Sequence, residues 1–200
     1  MITVPMALMD FVPVILFLIC AVMLQRGLYD KMSKGAFALF SAGTIMIFTA
    51  GLFKATWKLL LALDICDFER LSQCFFPMQS VGFLLAGSSL MAMVFFDQKT
   101  GEKAACVVPF SGTMIFVSAM ILGMLGMCIG LSVEAKRQTK TAAAVLFIIS
   151  FFFMLMMGYM SSKDFEKASM NWIAQSINVV AWLIFLIGSR MITRKETASS

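Results

Sequence analysis

The chain has 200 residues, of which 60% are hydrophobic and 14% are charged, and its formal net charge is +5. Soluble domains carry about 25% charged residues, and one water-soluble core of this size could not hide so much apolar surface. Histidine is absent, which excludes histidine-ligated metal sites and catalysis by a histidine acid or base. We therefore expect an integral membrane protein whose basic residues lie at membrane borders, and no nucleic-acid partner.

Six apolar runs follow one another along the chain, at residues 6–25, 35–53, 75–96, 104–133, 141–160 and 172–192. Each is long enough to cross a hydrocarbon layer of ~30 Å as a helix. The runs are continuously apolar, which favours helices over the alternating strands of a membrane barrel. The sequence predicts an all-α integral membrane protein with six transmembrane helices in a single domain, residues 1–192, followed by a short polar tail, residues 193–200.

Six alternating helices would place both termini on one side, together with the second and fourth connections. That side carries slightly more Lys and Arg, which predicts a multi-pass protein of the cell membrane with cytoplasmic termini. The excess depends on Lys54 and Lys58, one helical turn apart after the second run. They belong either to a short interfacial segment, residues 54–63, or to a continuing helix whose amines reach the membrane border, and both interpretations are favoured over an anion site. A pairing of either lysine with Asp10 is possible, but spacing alone does not support it.

Two stretches resemble each other, and both lead into a helix that carries Gln-Ser. The tetrad DFER at 67–70 precedes Gln79 and Ser80, and DFEK at 164–167 precedes Gln175 and Ser176. Further matches join Val12-Pro13 to Val108-Pro109 and Lys34 to Lys140. These matches predict a duplication with repeat units 1–98 and 104–192. Because each unit has three helices, the second would enter from the opposite face, as a 3+3 inverted-topology repeat. The alternative is chance, because charged clusters occur wherever a helix meets water.

Polar side chains inside the runs are the candidate site. Asn171, Gln175, Asn178 and Trp182 recur on one helical face, and Gln79 is the corresponding residue of the third run. Carboxamides need partners away from lipid, so they line an aqueous path or bond neighbouring helices. Asp10 is the only acid inside a run and is either a cation or proton site or a group that reaches the headgroups.

Prolines and glycines inside the runs predict local geometry. Pro13 either interrupts the first helix or lies in its early turns, where proline is tolerated, and we expect the early-turn position for Pro109. Gly123, Gly126 and Gly130 predict close helix packing.

The leading functional prediction is a small polytopic transporter or channel for an ion or small solute, with its pathway between the two three-helix repeats. The predicted pathway residues are Gln79, Gln175, Asn178, Ser80, Ser176, Asp10, Asn171 and Trp182. The alternative is a non-transporting sensor or accessory subunit that binds a partner protein through its helices. The five cysteines form no C-x-x-C pair and no hydrolase motif is present, so we expect no enzyme activity, metal or cofactor. The expected partners are the lipid bilayer, the solute, and a second copy of the chain or a partner membrane protein.

Overall fold

A computed structural model describes residues 3–95, 113–161 and 168–194, and all regular structure in these ranges is helical. The helices are α1 Val4–Met9, α2 Phe11–Leu28, α3 Lys34–Ala62, α4 Glu69–Gln73, α5 Phe75–Phe95, α6 Thr113–Arg137, α7 Thr141–Ser161 and α8 Ala168–Thr193, with one 3₁₀ turn at Tyr29–Lys31. Within the described ranges six segments are long and apolar enough to cross a membrane. They are α1 with α2, then α3, α4 with α5, α6, α7 and α8.

Large apolar side chains cover the outer faces of these helices. On α2 the exposed residues Ile15, Leu18, Ile19 and Val22 follow helical spacing and form one outward stripe. Similar exposed residues lie on α7 and α8, among them Phe152. Apolar faces of this extent are unstable in water and suit lipid. The all-helical, multi-pass architecture expected from the sequence therefore has the surface that a bilayer requires.

The first membrane helix is interrupted at Asp10, between α1 and α2. Pro13 has no backbone N–H, and its ring crowds the carbonyl of the residue four positions earlier, Met9. Asp10 keeps right-handed helical dihedral angles, with φ −64° and ψ −21°, so the helix continues after the interruption. Both alternatives left open by the sequence are therefore present, since the helix is interrupted three residues before Pro13 and Pro13 lies in the first turn of α2.

The second membrane helix is longer than its apolar run. Helix α3 begins after Ser33, whose hydroxyl accepts a hydrogen bond from the Ala36 N–H at 3.3 Å. It continues unbroken to Ala62 and ends where Asp64 adopts a left-handed φ of 52°. The prediction of a separate interfacial segment at residues 54–63 is therefore wrong, because the helix continues through both lysines.

The membrane helices pack in chain order around a ring that α8 closes against α2. At one end of the α2–α8 contact, the Asn171 amide of α8 donates to the Met6 sulfur of α1 at 2.9 Å. At the other end, Gly27 lies against Thr193. The first and last membrane helices therefore run in the same direction. The described chain consequently begins and ends at opposite ends of the bundle.

Helices α5 and α6 also run in the same direction. Ser80 near the start of α5 lies 2.6 Å from the carbonyl oxygen of Phe116 near the start of α6. At the far ends, the Arg137 guanidinium donates to the Val94 carbonyl at 2.6 Å. The units α1–α3–α5 and α6–α7–α8 therefore both run up, down and up, so the described helices do not show the inverted arrangement expected from the sequence. The described residues also do not show both termini on one side, an expectation that assumed that consecutive membrane helices alternate in direction.

Two segments that matter for the proposed repeat lie outside the described residues, Val108-Pro109 and the tetrad at 164–167. The connection between α5 and α6, residues 96–112, also lies outside them. The first tetrad is described: Glu69 opens the short helix α4, and Asp67 accepts a hydrogen bond of 2.9 Å from the Trp57 indole N–H. An acidic residue in the first turn of α4 suits the positive end of its helix dipole.

Glycines bring α3, α5 and α6 close together. A Cβ atom on Gly87 would collide with the carbonyl of Gly123, and one on Gly123 would collide with the α5 backbone at Phe83. On the other side of α5, a Cβ on Gly43 would lie 2.7 Å from the Ala86 nitrogen. The predicted packing role of the α6 glycines is confirmed for Gly123 and for Gly130, where a Cβ would lie 2.8 Å from Leu90.

The two ends of the bundle differ in charge. We call one the basic end; its described basic residues are Arg26, Lys31, Lys34, Lys136, Arg137, Lys140, Arg190 and Arg194. The other, which we call the acidic end, holds the connection from α3 to α5, where Asp64, Asp67 and Glu69 outnumber Arg70. The described basic segments of both units lie at the basic end because α5 and α6 run in the same direction.

Candidate functional site

A cavity of about 150 Å³ lies among the membrane helices, in the half of the bundle nearer the acidic end. Side chains from all six membrane segments line it, and its walls are mainly aromatic and thioether groups. Phe75 and Phe76, the first two residues of α5, place it near the acidic connection. Mostly apolar walls with a few convergent polar groups are typical of sites for small molecules.

An ion pair joins the first two membrane helices at the cavity wall. Asp10 Oδ2 lies 2.6 Å from Lys58 Nζ, and both side chains are buried, with exposed fractions of 7% and 11%. Asp10 stands at the interruption before α2, where the backbone brings its carboxylate towards α3. The other carboxylate oxygen, Oδ1, has no hydrogen-bond partner among the described residues. The pair therefore leaves one acceptor without a partner in the lining.

Lys54 lines the same cavity one helical turn away from Lys58. Its ammonium lies 4.0 Å from the ring centroid of Phe75 and 5.6 Å from that of Phe76. These are cation–π distances, so the two rings hold the ammonium on the inner face of α3. Within the described ranges Lys54 forms no ion pair. The sequence predicted that both lysines lie either in an interfacial segment or at the membrane border. Both face the cavity instead.

Gln79 of α5 and Gln175 of α8 line the cavity together. The side-chain carbonyl oxygen of each is buried and has no hydrogen-bond partner among the described residues. An unpaired buried acceptor costs about 1–3 kcal/mol, so two in one cavity indicate that a further donor, such as water or a solute, belongs there. The units that carry these glutamines run in the same direction, so both residues lie in the same half of the bundle.

Asn178 and Trp182 complete the polar and aromatic lining from α8. The Trp182 ring packs edge-on against Phe17, with centroids 4.9 Å apart, and against Phe185 at 5.4 Å. These contacts fix one wall of the cavity. The structure therefore places five of the predicted pathway residues in one lining: Asp10, Gln79, Gln175, Asn178 and Trp182.

Three other predicted pathway residues lie elsewhere. Ser80 is buried between α5 and α6, where its hydroxyl can donate to the carbonyl of Phe76 or Phe116, each at 2.6 Å. Ser176 is exposed on the outer face of α8 and donates to the Trp172 carbonyl at 2.9 Å. Asn171 is buried and bonds to Met6. Each of these side chains therefore has a packing or local backbone contact instead of a place in the lining.

Sequence reasoning considered the two lysines but left them out of the predicted pathway, and it missed most of the apolar wall. Lys54 and Lys58 follow an apolar run, which is also where border lysines occur, and only the continued helix shows that they point inward. The thioethers of Met120, Met124, Met154 and Met157 gave no signal, because methionine is frequent throughout the chain. Their wall is flexible and polarizable and can adapt to an apolar group.

The lining is suited to recognition. It offers one ammonium outside any ion pair, amide oxygens without donors and a large apolar wall, all within the membrane helices. Among the described residues, no group of three or more His, Cys, Asp or Glu side chains is placed to hold a metal ion. The arrangement can bind a small molecule that is partly polar and partly apolar.

Comparison of the chain with protein-family models, with curated proteins and with solved structures finds no match.

Proposed function

We propose that this chain is a small multi-pass membrane transporter or channel whose solute pathway includes the cavity near the acidic end. The observation that carries the proposal is the pair of glutamine carbonyl oxygens in the lining, buried within the membrane helices and without hydrogen-bond partners in the part of the chain that the structure describes. Polar groups inside a bundle are costly where no water or solute reaches them. A solute pathway, with its water and solute, gives these oxygens the donors that they lack among the described residues.

The proposed architecture is a duplication of a three-helix unit, with an approximate two-fold axis parallel to the helices. Its support is that α5 against α6 and α2 against α8 are both parallel contacts, as such an axis requires. Transporters built from repeats of this kind place the solute between the units. Gln79 and Gln175 are corresponding residues of the two units in this scheme, so a solute on the axis would meet one from each side.

The proposed orientation has the basic end in the cytoplasm. Lys and Arg in short connections are retained on the cytoplasmic side, and eight of the described basic residues lie at that end. The cavity then lies in the half of the bundle that faces away from the cytoplasm. A solute would enter from the outer side and meet the glutamines before it reached the tightly packed basic half.

The test is flux through proteoliposomes that contain the purified chain. Shrinkage and re-swelling under gradients of potassium chloride, glycerol and neutral amino acids would be followed by light scattering, with empty liposomes as background. The wild-type chain should pass at least one of these probes, and Gln79→Leu with Gln175→Leu should reduce that flux to background. Gln73→Leu, an exposed residue of α4, is the matched control and should leave flux unchanged.

Unchanged flux in the double variant would overturn the proposed pathway. Background flux of every probe through well-folded wild-type protein would favour the alternative function, a non-transporting sensor or accessory subunit.

A further inference from the structure

The charge of the cavity favours an anionic group in the solute. Its lining holds one acid and two lysines. Lys58 already pairs with Asp10 at 2.6 Å, whereas Lys54 contacts aromatic faces and forms no ion pair within the described ranges. An ammonium carries three N–H donors, so contacts with the rings leave donors available for a carboxylate. The first recognition element is therefore a cation at Lys54.

The carboxamides of the lining require a hydrogen-bond donor in the solute, whereas Lys54 favours an anion. The free carbonyl oxygens of Gln79 and Gln175 can only accept hydrogen bonds, so they require N–H or O–H donors from whatever occupies the cavity. Asp10 Oδ1 adds a third free acceptor in the same lining. Acceptors from the interruption between α1 and α2, from α5 and from α8 are thus available to one donor group, and an ammonium or amide of the solute would satisfy them.

The walls and the size set the third requirement. The lining includes Phe17, Phe48, Phe83 and Trp182 in addition to the methionines, and the cavity measures about 150 Å³. An apolar protein cavity of about this volume admits benzene. Because the polar groups of the solute occupy part of the same cavity, its body should be a single apolar group no larger than a phenyl ring, such as that ring or a branched aliphatic chain.

We infer that the cavity binds a small apolar α-amino acid, with its carboxylate on Lys54, its ammonium on the glutamine oxygens and its side chain against the aromatic and methionine wall. That the bound amino acid is then carried across the membrane rests on the proposed transport function. The binding itself can be measured separately. Sugars and inorganic ions fit the lining less well, because neither has the apolar body that most of the wall would contact.

The test uses three related probes on the full chain in lipid nanodiscs, with binding measured by equilibrium dialysis. L-phenylalanine has both charged groups, 2-phenylethylamine lacks the carboxylate, and 3-phenylpropanoate lacks the ammonium. L-phenylalanine should bind saturably, and each analogue should bind at least about tenfold more weakly, the effect of losing one charge-assisted hydrogen bond.

Two variants assign the groups. Lys54→Met should weaken L-phenylalanine about tenfold and leave 2-phenylethylamine unchanged, whereas Lys34→Met, an exposed residue at the basic end, should change neither. Gln79→Leu with Gln175→Leu should remove the preference for L-phenylalanine over 3-phenylpropanoate. If a variant fails to fold, the three probes on the wild-type chain still decide the question.

Equal or tighter binding of 2-phenylethylamine would overturn the inference and would point to Asp10 as a cation site. Absence of saturable L-phenylalanine binding would also overturn it. If another probe crosses the membrane but L-phenylalanine does not bind, the proposed transport function is retained and apolar amino acids are excluded as its solutes. If L-phenylalanine binds but no probe crosses the membrane, the class of ligand is retained and transport is excluded.

Discussion

The basic and acidic ends of the bundle satisfy their polar groups in different ways. At the basic end, Lys31 pairs with Glu134, and the Arg137 guanidinium donates to the Val94 carbonyl at 2.6 Å. At the acidic end, the half of the bundle with the cavity holds amide oxygens without partners and a lysine whose contacts are aromatic rings. The described contacts of the basic end join helices, whereas the cavity half combines such contacts, among them the pair of Asp10 and Lys58, with buried amide oxygens that have no partner among the described residues.

The largest expected effect comes from breaking the buried ion pair at the cavity. Lys58→Met leaves the Asp10 carboxylate buried without a counter-charge, which should lower the free energy of unfolding by roughly 3–5 kcal/mol. Thermal unfolding of the detergent-purified chain would measure the loss. Asp10→Leu combined with Lys58→Leu removes both charges and should recover most of it. A double variant as unstable as the single one would show that the pair is not the source of the effect.

A smaller effect is expected from disturbing the contact between α5 and α6, which extends from one end of the bundle to the other. Gly123→Ala places a methyl group against the α5 backbone at Phe83 and Leu84, which should cost about 1–3 kcal/mol. The same unfolding measurement would detect it. Gly35→Ala is the control, because a Cβ there meets no atom within 4 Å. Equal stabilities of the two variants would contradict the close parallel contact.

The smallest effect is expected for the ion pair of the basic end. Lys31 is 40% exposed whereas the Glu134 side chain is 7% exposed, so solvent screens the pair from the lysine side. Glu134→Gln should therefore lower the free energy of unfolding by about 0.2–1 kcal/mol, with less effect in high salt. A loss as large as that of Lys58→Met would show that the two ends do not differ in the way described.

The membrane helices were predictable because length and apolar content determine them almost alone. Helix α7, Thr141–Ser161, matches the run at 141–160 within one residue. The end of α3 was not predictable, because a sequence with Lys54 and Lys58 after an apolar run looks the same in both cases. The lysines could reach a membrane border or face a cavity. The direction of α6 was also outside sequence reasoning, since counting helices assumes that each reverses the one before it.

The polar face of α8 was the most informative sequence signal for the site. Gln175, Asn178 and Trp182 do line one cavity, together with Gln79. The same spacing also included Asn171, which the structure places against Met6, because a helical face is longer than the cavity it borders. The partner of Asp10 could not be read from sequence, since only the interruption before α2 and the continued α3 bring the carboxylate to Lys58.

The most direct test of the central claim is whether water reaches the cavity from the non-cytoplasmic side. In a background without native cysteines, Asn178→Cys places a thiol in the lining, and Ser176→Cys places one on the outer face two residues away. A membrane-impermeant maleimide added to the outside of intact cells should label the first and leave the second unlabelled. Failure to label Asn178→Cys from either side would contradict a solute pathway through this cavity, and labelling only from the cytoplasmic side would contradict the proposed orientation.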